Sequence, residues 1–204
     1  QYGYLDKEQV HVKDRDPAER PIHQKWSWDR ILRSCFIKQA DVLQGLYLFR
    51  DRFDEGTLRR NFDFYEARTV HESSLSPCVH TILAAQLGLM DKAYELYLRT
   101  ARLDLDDYNR EVEEGCHVTS MAGSWLAVVE GFGGMRIVDG VLSLEPRLPE
   151  AWQRLAFRID YRGRVLSVEA THDRAIVSCE GEPVEILLCG ERLKVDGRTE
   201  RSMK

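Results

Sequence analysis

No apolar run in these 204 residues approaches the ~20 that a membrane-spanning helix needs. The opening Gln1-Tyr2-Gly3-Tyr4-Leu5-Asp6 has neither the basic start nor the apolar stretch of a signal peptide. Basic excess is also missing: 29 Lys and Arg face 34 Asp and Glu, for a net charge of −5, and the two signs are interspersed. A nucleic-acid groove or a polybasic membrane anchor would need a basic stripe, so both are excluded. The five cysteines (Cys35, Cys78, Cys116, Cys179, Cys189) show no CxxC or CxxxC spacing. That argues against zinc and for reduced thiols in a cytoplasmic protein. There is no GxSxG elbow, no strand–GxGxxG–helix arrangement, no internal repeat and no low-complexity tract.

What is present is a globular composition, 43% hydrophobic and 31% charged, on a chain long enough for one sizeable core or two small ones. Residues 1 to about 30 are polar and uneven, and read as mostly loop. From Ile37 to Gly131 the apolar period is helical. Lys38 to Phe49 carries Ala40, Leu43, Leu46 and Tyr47 on one face. Asp54 is placed to cap the next helix, with Leu58, Phe62 and Tyr65 at i, i+4 and i+7. Pro77 to Leu87 reads as a helix that has Pro in its first turn and Gly88 just past its end. Asp91 is the expected cap of a fourth helix, and a polar loop over Asp104 to Glu114 leads to a last one from about Thr119 to Glu130.

After Gly133-Gly134 the period falls to two. Asp139-Gly140 between Ile137-Val138 and Val141-Leu142 signals a hairpin with a type I′ turn. Leu155, Phe157, Ile159 and Tyr161 alternate with polar residues. Further strands are expected at Val165–Ala170, Ala175–Cys179, Val184–Leu188 and Arg192–Val195, at the spacing of an all-antiparallel sandwich. The fold class is thus α+β in two parts, with helices up to residue 136 and strands over 137–204. Gly131-Phe132-Gly133-Gly134 reads as a hinge between them.

Three clusters could carry chemistry. Lys38 and Gln39 at a helix start could hydrogen-bond sugar hydroxyls, or be solvated polar residues. His71-Glu72-Ser73-Ser74-Leu75-Ser76-Pro77 places hydroxyls before a helix, where free N–H groups and the dipole favour an anion; ordinary N-capping by one serine is the plainer alternative. Glu113-Glu-Gly-Cys-His-Val-Thr-Ser-Met-Ala-Gly-Ser-Trp125 sets His117, Thr119 and Ser120 at another helix start. There His117 could donate to phosphate or share a proton with it. Small Ala122 and Gly123 would let another backbone or a sugar ring approach. A capped core helix with one satisfied histidine is the plainer reading. His23, His80 and His172 stand alone.

These clusters, with Ile37-Lys-Gln-Ala-Asp-Val42, Arg102-Leu-Asp-Leu-Asp-Asp-Tyr-Asn109, Glu130-Gly-Phe-Gly-Gly-Met135 and Gly140 to Pro149, resemble the disaccharide phosphorylases of glycoside hydrolase family 65. The motifs are collinear over nearly the whole chain, although residues 7 to 36 fit poorly. The resemblance implies a partial (α/α)6 barrel, the C-terminal part of the catalytic domain, over residues 1–136. It implies a small antiparallel β-sandwich over 137–204. It also implies inverting phosphorolysis: a glutamic acid protonates the glycosidic oxygen while inorganic phosphate attacks the anomeric carbon from the opposite face, yielding β-glucose 1-phosphate and a free sugar. Phosphate is a co-substrate, and no cofactor or metal is required.

Carried over, the sugar-binding pair falls on Lys38 and Gln39, and the phosphate site on Ser73, Ser74 and His117, with Thr119 and Ser120 beside it. The family's general acid belongs upstream of the stretch resembling Tyr2 to Asp6, so no catalytic residue is expected in this chain. About half of such a barrel is expected to be absent too. The expected partners are therefore a disaccharide, phosphate, and either the N-terminal part of the enzyme or a second copy, in a homodimer of the full enzyme. Two alternatives stay open. One is a hydrolase of the same family, with Glu72, Glu113 or Glu114 activating water. The other is a non-enzymatic helical and β-sandwich binding module.

Overall fold

The computed structural model describes Val12, residues 16–107 and residues 112–203. Among them, helices precede strands, in the order that the change of period implies. Two short helices, α1 (Ile22–Lys25) and α2 (Trp28–Arg33), correct the expectation of loop before residue 30. Neither is long enough to show a period. Ser27 caps α2 by accepting from the Arg30 N–H at 3.3 Å. α1 is held from 50 residues away, where Glu72 accepts from the backbone N–H groups of Ile22 and His23.

The longer helices are α3 (Asp41–Leu48), α4 (Glu55–Glu66), α5 (Ser76–Gln86), α6 (Met90–Ala101) and α8 (Val118–Leu126), with the single turn α7 (Leu103–Asp106) before α8. Asp54 caps α4 as its position suggests, accepting from the Thr57 N–H at 2.8 Å. Asp91 does not cap α6. That helix opens one residue earlier, at Met90, and has no side-chain cap. Asp91 sits inside the first turn, where its charge meets the positive end of the dipole.

α5 is the centre of the helical part. Every residue from Ser76 to Ala85 is buried, as fits a helix that is apolar on nearly all sides. It packs against α3, α4, α6, α8 and the π-helical stretch Ala127–Phe132 that continues α8. Gly123 makes the α8 contact close: a Cβ there would lie 3.0 Å from the Cys78 Cβ. The small residue thus admits α5 rather than a sugar ring.

The strands form two four-stranded sheets. One has the order β1 (Arg136–Val138), β2 (Val141–Leu144), β6 (Val184–Leu188), β7 (Glu191–Val195). The other runs β3 (Leu155–Tyr161), β4 (Arg164–Ala170), β5 (Arg174–Glu180), β8 (Arg198–Ser202). Asp139 (φ 48°) and Gly140 (φ 76°) make the β1–β2 turn with the two positive φ values it demands. Both sheets contribute to one apolar core, including Leu142, Leu144, Leu166, Val177, Ile186 and Leu188.

Two expectations about the strands fail. β2 and β6 pair in parallel, Leu142 opposite Ile186, so the assembly is not all-antiparallel. After β2 the chain leaves its sheet, builds β3, β4 and β5 in the other, and returns beside β2. β8 is also an addition: its five residues are polar or charged and it lies at the edge next to β5, where charge protects against further pairing.

Gly131 to Gly134 is a close-packed joint rather than a hinge. A Cβ on Gly133 would fall 2.4 Å from the Val129 carbonyl oxygen, and one on Gly134 would fall 2.1 Å from that of Glu145. Beside it, Trp152 packs edge-on against Phe132 at 4.7 Å and Tyr97 at 5.3 Å. Leu148, Leu155 and Ala170 carry the helical core on into the strands. Arg147 closes the other side, donating to the Gln86 carbonyl at 2.8 Å at the end of α5.

Candidate functional site

The site is built where the segment before α5 meets the segment before α8. Ile37 starts the arrangement. Its N–H donates to Arg68 O at 2.9 Å and its carbonyl accepts from the Val70 N–H at 2.8 Å. That short parallel bridge sets Lys38 and Gln39, both exposed, alongside the turn that follows Val70.

Within that turn the side chains divide. His71 and Glu72 point inward and are buried, while Ser73 and Ser74 are half-buried at the surface. An extended chain alternates faces, so two consecutive inward residues need a kink. His71 supplies it with a φ of 54°. Its ring bridges two helices, with Nδ1 at 2.8 Å from Ser76 Oγ in α5 and Nε2 at 3.3 Å from Glu66 Oε2 at the end of α4. His80 Nδ1 makes a short hydrogen bond with the same oxygen. Burial alone would raise the Glu66 pKa, but the hydrogen bonds from the two imidazoles outweigh it and hold the carboxyl well below its usual range. Burial pushes the His71 imidazole down to about 4, so the ring is neutral at pH 7.

Glu72 is fully engaged with α1. Besides the two backbone N–H groups it meets His23 Nδ1 at 2.8 Å. A carboxylate buried in this way has no room to activate water, which removes one of the acids that a hydrolytic reading needs. Glu113 is exposed, and Glu114 falls outside the residues whose side chains are described.

The outward hydroxyls make two links. Ser73 Oγ donates to Gln39 Oε1 at 3.0 Å and accepts from the Leu75 N–H at 3.3 Å. Ser74 Oγ lies 3.4 Å from Thr119 Oγ1 in the first turn of α8. Gln39, Ser73, Ser74 and Thr119 therefore form one contiguous polar rim. Thr119 is two residues from His117, which precedes α8.

His117 is anchored by Asp104 in α7. Its backbone N–H donates to Oδ2 at 3.0 Å, and Nδ1 lies 2.6 Å from Oδ1. The His117 ring and backbone hold the Asp104 carboxyl below its ordinary range. A carboxylate only accepts, so the His117 ring carries a proton on Nδ1.

Ser120 does not join the rim. It is 2% exposed, and its hydroxyl donates to the Thr100 carbonyl at 2.8 Å, fastening α8 to α6. One residue of helix rotates the side chain by roughly 100°, so neighbours such as Thr119 and Ser120 cannot share a face.

Glu66, His71, His80 and Asp104 went unassigned in the sequence. Glu66 and His80 are 14 residues apart and Asp104 and His117 are 13 apart, each pair separated by a turn. No period or motif links such residues. Tyr108 and Asn109 of the run that includes Asp104 lie outside the described residues.

Comparison with known proteins gives the frame. Residues 1–126 match the glycosyl hydrolase family 65 central catalytic domain, and residues 135–195 match the family 65 C-terminal domain. The maltose phosphorylase of Bacillus subtilis (strain 168) is 57% identical over 97% of this chain and 26% of its own length. An alpha,alpha-trehalose phosphorylase of Thermoanaerobacter brockii is 42% identical over 95% of this chain and 25% of its own. A solved structure, a putative kojibiose phosphorylase from human microbiome, superposes with a TM-score of 0.92 at 36% identity, covering all of this chain and 30% of that one. The chain thus spans about a quarter of the length of the curated relatives it matches. With two family domains in collinear order, the chain belongs to glycosyl hydrolase family 65.

Proposed function

We propose that this sequence forms the C-terminal part of an inverting disaccharide phosphorylase that cleaves an α-glucosidic bond with inorganic phosphate. In this reading Ser73, Ser74, His117 and Thr119 hold the phosphate, and Lys38 and Gln39 hold the sugar. Residues 1–136 are the C-terminal part of an (α/α)6 catalytic barrel, and 137–204 are a β-sandwich. The observation that carries the proposal is the 3.4 Å approach of the Ser74 and Thr119 hydroxyls. It joins two helix starts, and both helix dipoles then favour the same anion. Relatives named for maltose, trehalose and kojibiose phosphorolysis all align with this region. A site for what those reactions share, phosphate and the transferred glucosyl unit, is what such a common stretch would hold.

The mechanism follows from what phosphate already is. As a nucleophile it needs no protein base, so the protein has to place it in line with the anomeric carbon and offset its charge. Ser74 and Thr119 can donate hydroxyl protons to its oxygens. His117, held by Asp104, can donate from Nε2 when protonated. Gln39, already joined to Ser73, can link the phosphate rim to a sugar hydroxyl. The general acid that protonates the leaving oxygen is supplied from outside this chain, which alone would be inactive. Trp28, Val118, Met121 and Trp125 are exposed apolar side chains. A covering segment, from the N-terminal part of the enzyme or a second copy, would remove them from water. The full enzyme would act as a cytoplasmic homodimer and use no cofactor.

The deciding assay uses the full-length enzyme containing this sequence, with maltose, trehalose and kojibiose in turn. Glucose 1-phosphate should appear only when phosphate is present, with the β anomer as first product by proton NMR. Release of free glucose at the same rate without phosphate would reject the proposal. Serine-to-alanine changes at 73 and 74 should raise the KM for phosphate more than that for the disaccharide.

A further inference from the structure

We propose that His71, fixed by Glu66 and backed by His80, is a positioning residue that presents Ser73 and Ser74 to the phosphate. This rests on the phosphorylase reading above and adds to it a role for His71, which heads the serine cluster but is given no part of its own there.

The turn from Val70 to Ser76 is gripped at each side of the serines. Before them, Arg99 Nη2 donates to the His71 carbonyl at 3.1 Å. After them, Ser76 Oγ meets the His71 ring. The imidazole is therefore a strut across the base of the turn, and Ser73 and Ser74 sit on its far side. A non-glycine residue in the left-handed region is strained, and His71 has a φ of 54°. At His71 the side-chain bonds to Glu66 and Ser76 oppose that strain, so loss of either should let the backbone relax and swing the serines.

The protons can be assigned. Glu66 Oε2 faces both rings and, as a carboxylate, only accepts. His71 then donates from Nε2 and accepts the Ser76 hydroxyl proton on Nδ1. His80 donates from Nδ1, which leaves its Nε2 as a bare lone pair. That nitrogen is fully buried and has no hydrogen-bond partner among the described residues. Glu66, His71 and His80 also have the donor set of a metal site. Against an ion, Glu66 Oε1 lies 3.8 Å from the Lys92 ammonium, and its other oxygen is already shared by both rings. A dication would have to displace those bonds and sit close to a lysine.

The test uses the full-length enzyme and four variants: Glu66→Gln, His71→Ala, His71→Asn and Ser74→Ala. Displacing the serines should raise the phosphate KM about tenfold in Glu66→Gln and more in His71→Ala, with the disaccharide KM within about twofold of wild type. Asn tolerates a left-handed backbone, so His71→Asn should recover part of the loss. In the Glu66→Gln background, Ser74→Ala should add less than it does alone. For variants that do not fold, the unaltered enzyme labelled with ¹⁵N-histidine gives a second readout. Ring signals of His71 and His80 should shift on phosphate addition, with a midpoint matching the kinetic one.

If the wild-type enzyme shows no phosphate dependence, the phosphorylase reading itself fails. If it is phosphate-dependent, three results would overturn the present inference alone. They are an unchanged phosphate KM in folded Glu66→Gln and His71→Ala, ring signals indifferent to phosphate, or a stoichiometric metal in the purified enzyme that Glu66→Gln abolishes.

Discussion

The two helix starts that meet at the rim are held in opposite ways. The turn before α5 hangs from a buried network, Glu66, His71, His80 and Ser76, of which His80 is wholly hidden from solvent. The turn before α8 is held by a half-exposed pair, Asp104 and His117. A buried polar network fixes geometry because each member is costly to leave unpaired. A surface pair gains less and is screened by water and salt. The α5 side should therefore behave as a rigid platform and the α8 side as the adjustable one. That suits an arrangement in which the His117 side adapts to the bound anion while the serines stay in place.

The largest effect should come from breaking the platform. Glu66→Ala removes the shared acceptor and strands two buried imidazoles, with an expected loss of about 3 kcal/mol in urea unfolding. Asp104→Ala should leave the unfolding midpoint almost unchanged and instead weaken phosphate binding as His117 loses its orientation. Equal midpoint shifts for the two variants would erase the distinction between the two sides.

Acid offers a second way to separate them. The His71 pKa is about 4 in the fold against an ordinary 6.5, so between these values the unfolded chain binds more protons. Stability should then fall as pH drops from 6.5 towards 4, by up to about 3 kcal/mol in total. Glu66 on α4, His80 on α5 and Arg99 on α6 are the ionisable groups facing the ring. Glu66, whose carboxyl is held low, adds a loss of the same sign once pH falls below its ordinary value of 4.5. Asp104 is likewise held low, and its contribution disappears only below its ordinary value of 3.8. Urea midpoints at pH 7, 6 and 5 should fall for the wild type and flatten for His71→Asn.

The same contrast explains what could be read from the sequence. Local devices were legible. The Asp54 cap acts over three residues, the Asp139-Gly140 turn is two residues long, and β3 alternates over seven. The helical period located α3, α4 and α6 because the buried stripes of Leu43 and Leu46, Leu58 and Phe62, and Ala93 and Leu96 recur within each segment. What depended on a distant partner was not legible. α1 is set by Glu72, β8 by β5, and the parallel β2–β6 pair by a chain reversal through the other sheet. Among the candidate residues, Gln39, Ser73, Ser74 and Thr119 emerge together on one rim. Ser120 turned inward because its carbonyl partner Thr100 lies on α6, a contact that no run of residues records. Cluster membership located the rim, and only the fold could say which side chains face it.

Gly123→Ala tests whether α8 is free to adjust. Its new methyl would meet Cys78 at 3.0 Å and should push α8 off α5, at a cost of about 1–2 kcal/mol. The Ser74–Thr119 link should lengthen in step, so phosphate affinity should fall while the α5 platform keeps its acid response. Loss of that response as well would show the two sides to be one rigid body.

The smallest effect, and the finest distinction, lies between two adjacent residues of α8. Ser120→Ala deletes a buried hydrogen bond to Thr100 and should cost about 1 kcal/mol of stability, with phosphate binding little changed because the hydroxyl faces α6. Thr119→Ala deletes an exposed hydroxyl and should leave the unfolding midpoint where it is, yet weaken phosphate binding by roughly threefold to tenfold, the worth of one donor to an anion. Each variant loses one hydroxyl, at neighbouring positions, and Thr119→Ala loses only a methyl besides, so composition and local propensity nearly cancel between them. Only the direction each side chain faces separates the expected outcomes. If Ser120→Ala weakens phosphate binding and Thr119→Ala does not, α8 is rotated relative to this arrangement, and the rim must be redrawn around Ser120.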